Sequence, residues 1–294
     1  MTTLRRSRSA MAAAPRRPKN RGGAIGYYLL MTVLAVAFLF PLVWTLLSSV
    51  KTKAEATQSP PTYLPHAISL DNYRGLLVYG VGLWGYLGNS LTVSALTVAI
   101  TLFASVLGGY GFARYTFPGK NALFFVTLAI LMVPYPTILI ALYYLLARVG
   151  LQNSLVGLSF VLVVFQLPFS TYLMRNSIES FPRELEEAAV IDGCSTLQAL
   201  RRIVLPSITP GIITVALFSF LASWNEFLAP LIFLNDSSKF TLPVMLVNVR
   251  SGAFGTVDYG ALQSGVVIAM LPCVILFVAL QRFYISGLVA GSLK

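Results

Sequence analysis

Charged side chains are scarce in this sequence. They make up 11% of its 294 residues, whereas hydrophobic residues make up 56%. Soluble globular domains contain about 25% charged residues. A soluble chain of this composition would leave more apolar surface than one compact core could bury. The shortage of charge therefore excludes an ordinary soluble domain and predicts a membrane protein.

Cysteine and histidine are almost absent as well. The two cysteines, Cys194 and Cys273, fall in a polar loop and in an apolar run, which argues against a disulfide framework. His66 is the only histidine. A single histidine excludes a multi-histidine metal site, and no Cys/His cluster has zinc spacing. We therefore predict no bound metal ion.

The chain also lacks the residues that catalysis needs. Gly119-Lys120 resembles the end of a phosphate-binding loop, but Asn121 stands where Ser or Thr is needed. Arg114 stands where the first glycine of that loop belongs. No nucleophile–base pair or carboxylate dyad is present. The sequence predicts a non-catalytic protein, with no catalytic residues and no cofactor bound by this chain.

The sequence has six apolar stretches long enough to cross a bilayer core, which takes about 20 helical residues. They predict an all-α, polytopic membrane protein with six transmembrane helices at about 24–48, 87–110, 121–146, 153–174, 208–234 and 262–282. The first stretch follows a basic leader, as a signal peptide would. Its apolar run of about 24 residues exceeds the 7–15 of a signal core, so we predict a retained span.

The basic residues predict how these spans are oriented. Only six of the 21 basic residues lie in the predicted outer loops: Lys51, Lys53, Arg74, Arg148, Lys239 and Arg250. Because cytoplasmic segments carry the excess of Lys and Arg, both termini are predicted to be cytoplasmic. Residues 1–23 are predicted to be a basic, disordered tail, and residues 283–294 a C-terminal tail. The basic tail favours membrane lipid, and not nucleic acid, as its partner.

Three loops of the predicted 24–282 transmembrane domain are long. The inner loop 175–207 holds half of all acidic residues: Glu179, Glu184, Glu186, Glu187 and Asp192. The outer loop 49–86 contains several prolines and is predicted to be an irregular surface segment. The outer loop 235–261 is polar and glycine-rich enough to be a docking surface.

The inner loop carries signals for a helix, an elbow and a second helix. Pro182 suits the first turn of a helix, and Gly193 tolerates a left-handed helix end. Ser195 can cap a second helix that reaches about Val204, before Pro206 stops it. These signals alone fit two structures equally: a docking segment, or a surface-lying loop stabilised by its own charge pairs.

The loop also contains a longer pattern, formed by Glu187, Ala188, Ala189, Gly193, Ile203, Leu205 and Pro206, with Asp192 before the glycine. This pattern resembles the EAA loop of permease subunits in bacterial ATP-binding-cassette importers, and with Asp192 it is most similar to the maltose- and trehalose-type carbohydrate-uptake group. In that family the loop is a coupling helix that docks in a groove of the ATPase. The resemblance implies that these eight residues couple the chain to an ATPase.

Other segments extend the resemblance to nearly the whole chain. They are Asp71-Asn72-Tyr73, the run from Gly109 to Arg114, the run from Phe117 to Lys120, the run from Trp224 to Phe227, and the C-terminal run from Gly287 to Lys294. Two departures exist: Cys194 replaces the family's usual alanine, and the frequent final glycine is missing.

The resemblance implies a complete assembly around this chain. It implies the type I importer permease fold in a bacterial cytoplasmic membrane. The implied partners are an ATPase dimer that binds ATP and Mg, a second homologous permease, an extracellular solute-binding protein and a sugar. That sugar would be an oligosaccharide, a disaccharide or a related solute such as a sugar phosphate, carried by alternating access.

Several polar or aromatic residues in the predicted spans are candidates for the solute path. Glu226 is the only acid in a predicted span, where ionisable groups are functional candidates by default. The other candidates are Tyr135, Gln166, Trp224 and Asn225. Pairing or snorkelling of Glu226, hydrogen bonds between helices and interfacial anchoring of Trp224 are the structural alternatives.

The competing hypothesis is an ion- or proton-coupled secondary transporter. Such proteins usually show internal repeats and ionisable groups near the bilayer midplane. No convincing repeat is present, and Glu226 is the only acid available. The sequence therefore favours the ATP-driven importer.

Overall fold

Helices form all of the regular structure in the part of the chain that the computed structural model describes. The described residues are 21–251 and 257–291, with side chains for 24–250 and 257–281. Fourteen α-helices, α1 to α14, run over Arg21–Ser49, Lys53–Ala56, Asp71–Leu77, Leu83–Arg114, Lys120–Ala129, Tyr135–Arg148, Leu155–Glu179, Arg183–Ile191, Thr196–Ala199, Leu205–Ser207, Thr209–Trp224, Leu228–Phe233, Leu242–Ser251 and Tyr259–Gly291. Short 3-10 turns at Ile130–Met132 and Ser237–Lys239 and a π turn at Leu200–Val204 complete the set.

Four of these helices are long and apolar enough to cross a membrane alone: Ala24–Ser49, Leu83–Arg114, Leu155–Glu179 and Tyr259–Gln281. Two further pairs pass the same test together but are bent, by 106° between Lys120–Met132 and Tyr135–Arg148, and by 79° between Thr196–Ser207 and Thr209–Trp224. Counting each bent pair as one span gives up to six spans. This number matches the six that the sequence predicts.

Two of the predicted spans are interrupted. The span predicted at 121–146 breaks at Val133, whose ψ of 129° is extended because Pro134 follows it. The span predicted at 208–234 breaks after Trp224, and α12 begins only at Leu228. Non-helical backbone at membrane depth is tolerated where it is buried in protein or lines a cavity. The two breaks are therefore candidate positions for a cavity.

The chain divides into two units, residues 1–44 and residues 45–294. In the first unit, the side chains of residues 24–43 on α1 are exposed. Their mean hydropathy is 2.4 over the best window of that helix, as expected for a surface that meets lipid. The second unit contains the other helices and all the features discussed below.

Helix α4 packs along α7 through a face of small side chains. Its buried residues recur every three or four positions: Ser90, Val93, Ser94, Thr97, Thr101, Ser105 and Gly109. Small residues let transmembrane helices approach closely. A Cβ atom on Gly109 would lie 2.7 Å from Cβ of Met174 and 2.9 Å from the backbone nitrogen of Arg175. Helix α11 packs against both α4 and α7, which makes these three helices the centre of the unit.

The segment 49–86, predicted to be an outer loop, is more ordered than the irregular surface segment that the sequence predicts. It contains α2 and α3 and is folded around the buried carboxylate of Glu55. That carboxylate accepts hydrogen bonds from the Thr62 hydroxyl at 2.7 Å and from the backbone nitrogen of His66 at 3.1 Å. The Thr62 hydroxyl, followed by the His66 contacts, lowers the pKa of Glu55 against the opposing effect of burial. Asn72 closes the segment by donating to the carbonyl of Lys51 at 2.8 Å.

Helix α14 continues beyond the span predicted at 262–282. Its backbone stays helical to Gly291, through most of the region predicted as the tail 283–294. Residues 292–294 and residues 1–20 of the predicted N-terminal tail lie outside the described part of the chain.

Candidate functional site

The segment 175–207, predicted to be an inner loop, forms the predicted helix, elbow and second helix. Helix α8 ends at Ile191, and Gly193 takes the left-handed conformation, with φ of +90°. The Cys194 nitrogen then donates to the Ala189 carbonyl at 3.0 Å, which satisfies a group at the helix end. Ser195 caps the second helix in a reciprocal capping box with Gln198, so the predicted cap is confirmed.

The second helix is longer than predicted, and Pro206 does not end it. Helical backbone continues from Thr196 to Ser207, with a π turn at Leu200–Val204. Pro206 lies in the last turn of this run, directly after the π turn, where the helix tolerates the loss of the hydrogen bond that a proline cannot make. The chain bends only at Ile208, where it turns by 79° into α11. The prediction that the proline stops the helix is therefore wrong by one turn.

The inward face of α8 is fixed to the end of α4 by a buried ion pair. Nε of Arg114 lies 2.8 Å from Oε2 of Glu186, and each side chain is 10% exposed. The Tyr110 hydroxyl donates to the other oxygen of Glu186. A second guanidinium nitrogen of Arg114 donates to the Phe181 carbonyl at 3.0 Å. A buried charge persists only when it is paired and hydrogen-bonded, and each oxygen of this carboxylate has a donor.

The pairing of Arg114 with Glu186 was not predicted from the sequence. Glu186 was grouped with Glu184 and Glu187 as acidic residues of one loop. The sequence of that loop does not indicate which of the three is buried. The signal lay elsewhere, because Tyr110 and Arg114 are four residues apart and therefore share one face at the end of α4.

The outward face of α8 and the elbow is apolar and exposed. Leu185, Val190, Ile191 and Leu197 are 54%, 49%, 85% and 68% exposed. Glu187, Ala188, Asp192 and Gly193 are exposed with them, while Ala189 is buried, Ile203 and Leu205 are half-buried, and Pro206 is exposed. The pair of Arg183 and Glu187, 2.9 Å apart, is an exposed pair of small expected value. Charge pairs alone therefore do not account for this surface, because it also exposes several large apolar side chains.

Three of the predicted path residues meet around one pocket. Tyr135, Gln166 and Glu226 line a pocket of about 200 Å³, together with Leu162, Phe165, Ala222 and Ser223. Tyr135 and Glu226 come from the two interrupted spans, and Gln166 comes from α7. Broken helices that face a cavity are typical of transporter binding sites.

Within the pocket, Glu226 has a structural contact as well. Its Oε1 accepts a hydrogen bond from the Ala229 nitrogen at 3.0 Å, which caps the start of α12. The Tyr135 ring meets the Phe165 ring edge-on, with centroids 4.4 Å apart. The Tyr135 hydroxyl is buried in the neighbourhood of the Glu226 carboxylate. A carboxylate, a phenol and an amide thus converge on one small polar site.

The other two candidates do not line this pocket. Trp224 is 2% exposed, donates through Nε1 to the Ala269 carbonyl at 2.9 Å and stacks on Phe220. Asn225 is exposed and donates to the Leu221 carbonyl of its own helix at 2.7 Å. Trp224 and Asn225 therefore do not line the pocket, although they directly precede Glu226 in the sequence.

Comparison with known proteins places the chain in a family. Residues 100–288 match the family described as the inner membrane component of binding-protein-dependent transport systems. The chain is 34% identical to the sulfoquinovosyl glycerol transport system permease protein SmoH of Agrobacterium fabrum, over 97% of this chain and 99% of that protein. It is 31% identical to the diacetylchitobiose uptake system permease protein DasC of Streptomyces coelicolor, over 89% and 94% of the two chains. It is 34% identical to the arabinooligosaccharides transport system permease protein AraQ of Bacillus subtilis, over 92% and 95%.

A solved structure shows the same fold. It is a chain of a bacterial ABC transporter involved in the import of the acidic polysaccharide alginate, and it superposes with a TM-score of 0.78. The match covers 92% of this chain and 100% of that chain, at 22% identity. The predicted all-α importer fold is therefore confirmed.

The helical membrane fold and the matched family define a multi-pass component of the bacterial inner membrane. The chain belongs to the binding-protein-dependent transport system inner membrane components, the permeases of ABC importers. Such a permease is not an enzyme, and ATP hydrolysis occurs on a separate ATPase. The competing hypothesis of a secondary transporter is not favoured.

Proposed function

We propose that this permease carries a sugar or oligosaccharide and is driven through the surface formed by α8 and its elbow. The observation that carries the proposal is the two-sided structure of α8. Its inner face is fixed by the buried pair of Arg114 and Glu186, and its outer face exposes Leu185 and Ile191. A helix that is anchored on one side and apolar on the other is suited to receive and transmit a push from a partner protein.

The partners follow from the family and from this surface. We propose an ATPase dimer that binds ATP and Mg, a second homologous permease and an extracellular solute-binding protein. A related alginate transporter has been solved in complex with a periplasmic protein that holds an alginate pentasaccharide. The residues proposed to couple this chain to the ATPase are Glu187, Ala188, Ala189, Asp192, Gly193, Ile203, Leu205 and Pro206.

The proposed solute is supported by the pocket and by the relatives. The names of the relatives refer to sulfoquinovosyl glycerol, diacetylchitobiose and arabinooligosaccharides, which all contain sugars. The carboxylate of Glu226, the amide of Gln166 and the hydroxyl of Tyr135 are groups that hydrogen-bond sugar hydroxyls. We propose that these three residues form this chain's share of the solute path.

The mechanism is alternating access coupled by linkage. ATP closes the ATPase dimer, draws the docked α8 segments together and turns the cavity towards the outside, where the binding protein releases its solute. Each ligand shifts this equilibrium only by its difference in affinity for the two states. The scheme requires α8 on the cytoplasmic side, with both termini there as the charge distribution predicts. The 24–282 region would then be the permease domain.

The substitution Gly193→Trp tests the docking surface. Gly193 has φ of +90° and lies in open space, so a tryptophan would strain the elbow and cover the exposed face without a clash inside the protein. We expect the variant to insert into the membrane and to lose stimulation of ATP hydrolysis by the loaded binding protein. The measurement is ATPase activity in proteoliposomes.

Gly193→Asn is the matched control, because asparagine tolerates the left-handed conformation and is small. It should retain most of the stimulation. Normal stimulation in Gly193→Trp would contradict the assignment of this surface to the ATPase.

A further inference from the structure

Helix α4 is a long helix without an internal break. Its 32 residues correspond to about 48 Å, more than the thickness of a bilayer core. The other three long helices each contain a proline, at Pro41, Pro168 and Pro272. Proline removes a helix hydrogen bond and favours bending. Of these four helices, α4 is the one whose hydrogen-bond ladder has no such weak point.

The inner end of α4 is attached to α8. Tyr110 and Arg114 occupy its last two turns, and both bond the Glu186 carboxylate. Arg114 also bonds the carbonyl of Phe181 just before α8. These bonds hold the Glu186 side chain on α8 and the backbone at Phe181 just before α8. A displacement of α8 is therefore transmitted to α4.

The outer end of α4 is attached to the loop after α12. The Asn89 amide donates to the carbonyl of Ser238 at 2.8 Å and to that of Phe240 at 3.0 Å. The hydroxyl of Ser90 accepts a hydrogen bond from the backbone nitrogen of Leu242 at 2.8 Å. These contacts hold the start of the outer segment 235–251, which is the part described before residue 252 of the loop 235–261 predicted as a docking surface.

Between its two ends α4 is held laterally. Its face of small residues packs along α7, and the Gly109 contact leaves no room for a side chain. Close packing of this kind resists bending, because packed interfaces change between discrete arrangements and do not deform continuously.

We infer that α4 is a rigid strut that connects the coupling surface to the outer segment 235–251, with Arg114 and Asn89 as the positioning residues at its two ends. Movement of α8 with the ATPase displaces the outer segment, and engagement of the outer segment by a binding protein is felt at α8. The inference rests on the proposed function, because it takes α8 as the ATPase-docking element. Asn89 and Arg114 are 25 positions apart, about 37 Å along the helix.

The first test measures the length of the strut in two states. Spin labels are attached at Glu184→Cys and Ser237→Cys, two exposed positions beside the two ends, in a chain carrying Cys194→Ala and Cys273→Ala. The distance between labels is measured in the ATP-free complex and in the complex trapped with ATP and vanadate. We expect the same mean distance in both states. A change of one helical turn, about 5 Å, or more would overturn the strut.

The second test breaks one end. Asn89→Ala removes both bonds to the outer segment and should lower the ratio of stimulated to basal ATP hydrolysis by at least about fivefold, the factor for losing one of the two hydrogen bonds. Thr92→Val is the matched control on the same helix, because the Thr92 hydroxyl bonds only the carbonyl of Gly88. A residue that merely stabilised the fold would change the amount of assembled complex and leave the ratio unaltered. An unchanged ratio in assembled Asn89→Ala complex would therefore refute the inference.

The inner end is tested in the same way with Glu186→Gln against the exposed control Glu184→Gln. Only the first should lower the ratio. If Asn89→Ala or Glu186→Gln fails to assemble, the distances between the spin labels decide, because the labelled chain keeps both Asn89 and Glu186. Failure of the proposed function looks different, because the ATPase would then not copurify with the wild-type chain at all.

Discussion

The Glu226 carboxylate caps a helix and also lines a pocket, and the two roles can be separated by substitution. Glutamine keeps an oxygen for the Ala229 nitrogen but removes the charge, whereas alanine removes both. If the charge bonds solute, Glu226→Gln should raise the apparent KM of uptake about tenfold, the effect of losing a charge-assisted hydrogen bond. Glu226→Ala should in addition cost about 1 kcal/mol of stability, as lost helix caps do.

Uptake of radiolabelled sugar by reconstituted complex measures the first effect, and thermal unfolding measures the second. Asn225→Ala is the control, since Asn225 is the neighbouring exposed residue that lies outside the pocket. Wild-type uptake in both Glu226→Gln and Tyr135→Phe would mean that the pocket does not carry solute.

At the scale of single residues, the sequence predicted which residues could contribute to a site. It did not predict which of them lie next to one another. Tyr135, Gln166 and Glu226 were named as separate polar residues in apolar runs, and the fold brings them together. Trp224 was named as an aromatic candidate, but it is buried and donates a hydrogen bond to the Ala269 carbonyl. The buried state of Glu186 depends on Arg114, 72 positions away, so no local pattern could have predicted it.

At the scale of elements, the contact between α4 and α7 yields a stability prediction. A methyl group on Gly109 would meet the backbone of Arg175 at 2.9 Å, and a helix backbone cannot rotate aside as a side chain can. Gly109→Ala should therefore destabilise the protein by about 1–3 kcal/mol, the usual cost of overpacking. Gly111→Ala, two positions along the same helix, meets nothing within 4 Å and should be neutral or slightly stabilising.

The measurement is the temperature at which half of the purified chain is lost from its size-exclusion peak. Both substitutions improve helix propensity equally, so any difference between them reports the packing. Equal melting of the two variants would show that α4 and α7 are not closely packed at Gly109.

Hydropathy predicts which elements cross the membrane but not where a span is interrupted. Long apolar runs predicted the four unbroken helices well, because crossing the bilayer demands about 20 apolar residues. A hydropathy window averages across a break, so the interruptions at Val133 and after Trp224 were not predicted from it. The first did have a signal, since Pro134 and Pro136 flank Tyr135. The second had a signal as well, because Pro230 lacks the N–H that would bond the Glu226 carbonyl in a continuous helix.

At the scale of the whole molecule, the distribution of acids bears on the energy source. Nine of the ten acidic residues lie outside the six predicted spans, and Glu226 is the exception. A single carboxylate that is also bound to a backbone amide is a poor proton carrier, because a relay needs a chain of ionisable groups. The exposed face of α8, by contrast, has no role in a protein that transports alone.

We therefore expect uptake to follow ATP and not the proton gradient. In proteoliposomes that contain this chain, its partner permease and the ATPase, and that are supplied with the solute-loaded binding protein, removal of ATP with the gradient maintained should abolish uptake. An uncoupler added in the presence of ATP should leave uptake unchanged. The control is Gly193→Trp, which should take up no solute under either condition because ATP hydrolysis no longer reaches the permease. Uptake that survived ATP removal and stopped with the uncoupler would identify a gradient-driven transporter, and would leave the exposed apolar surface around Ile191 without an explanation.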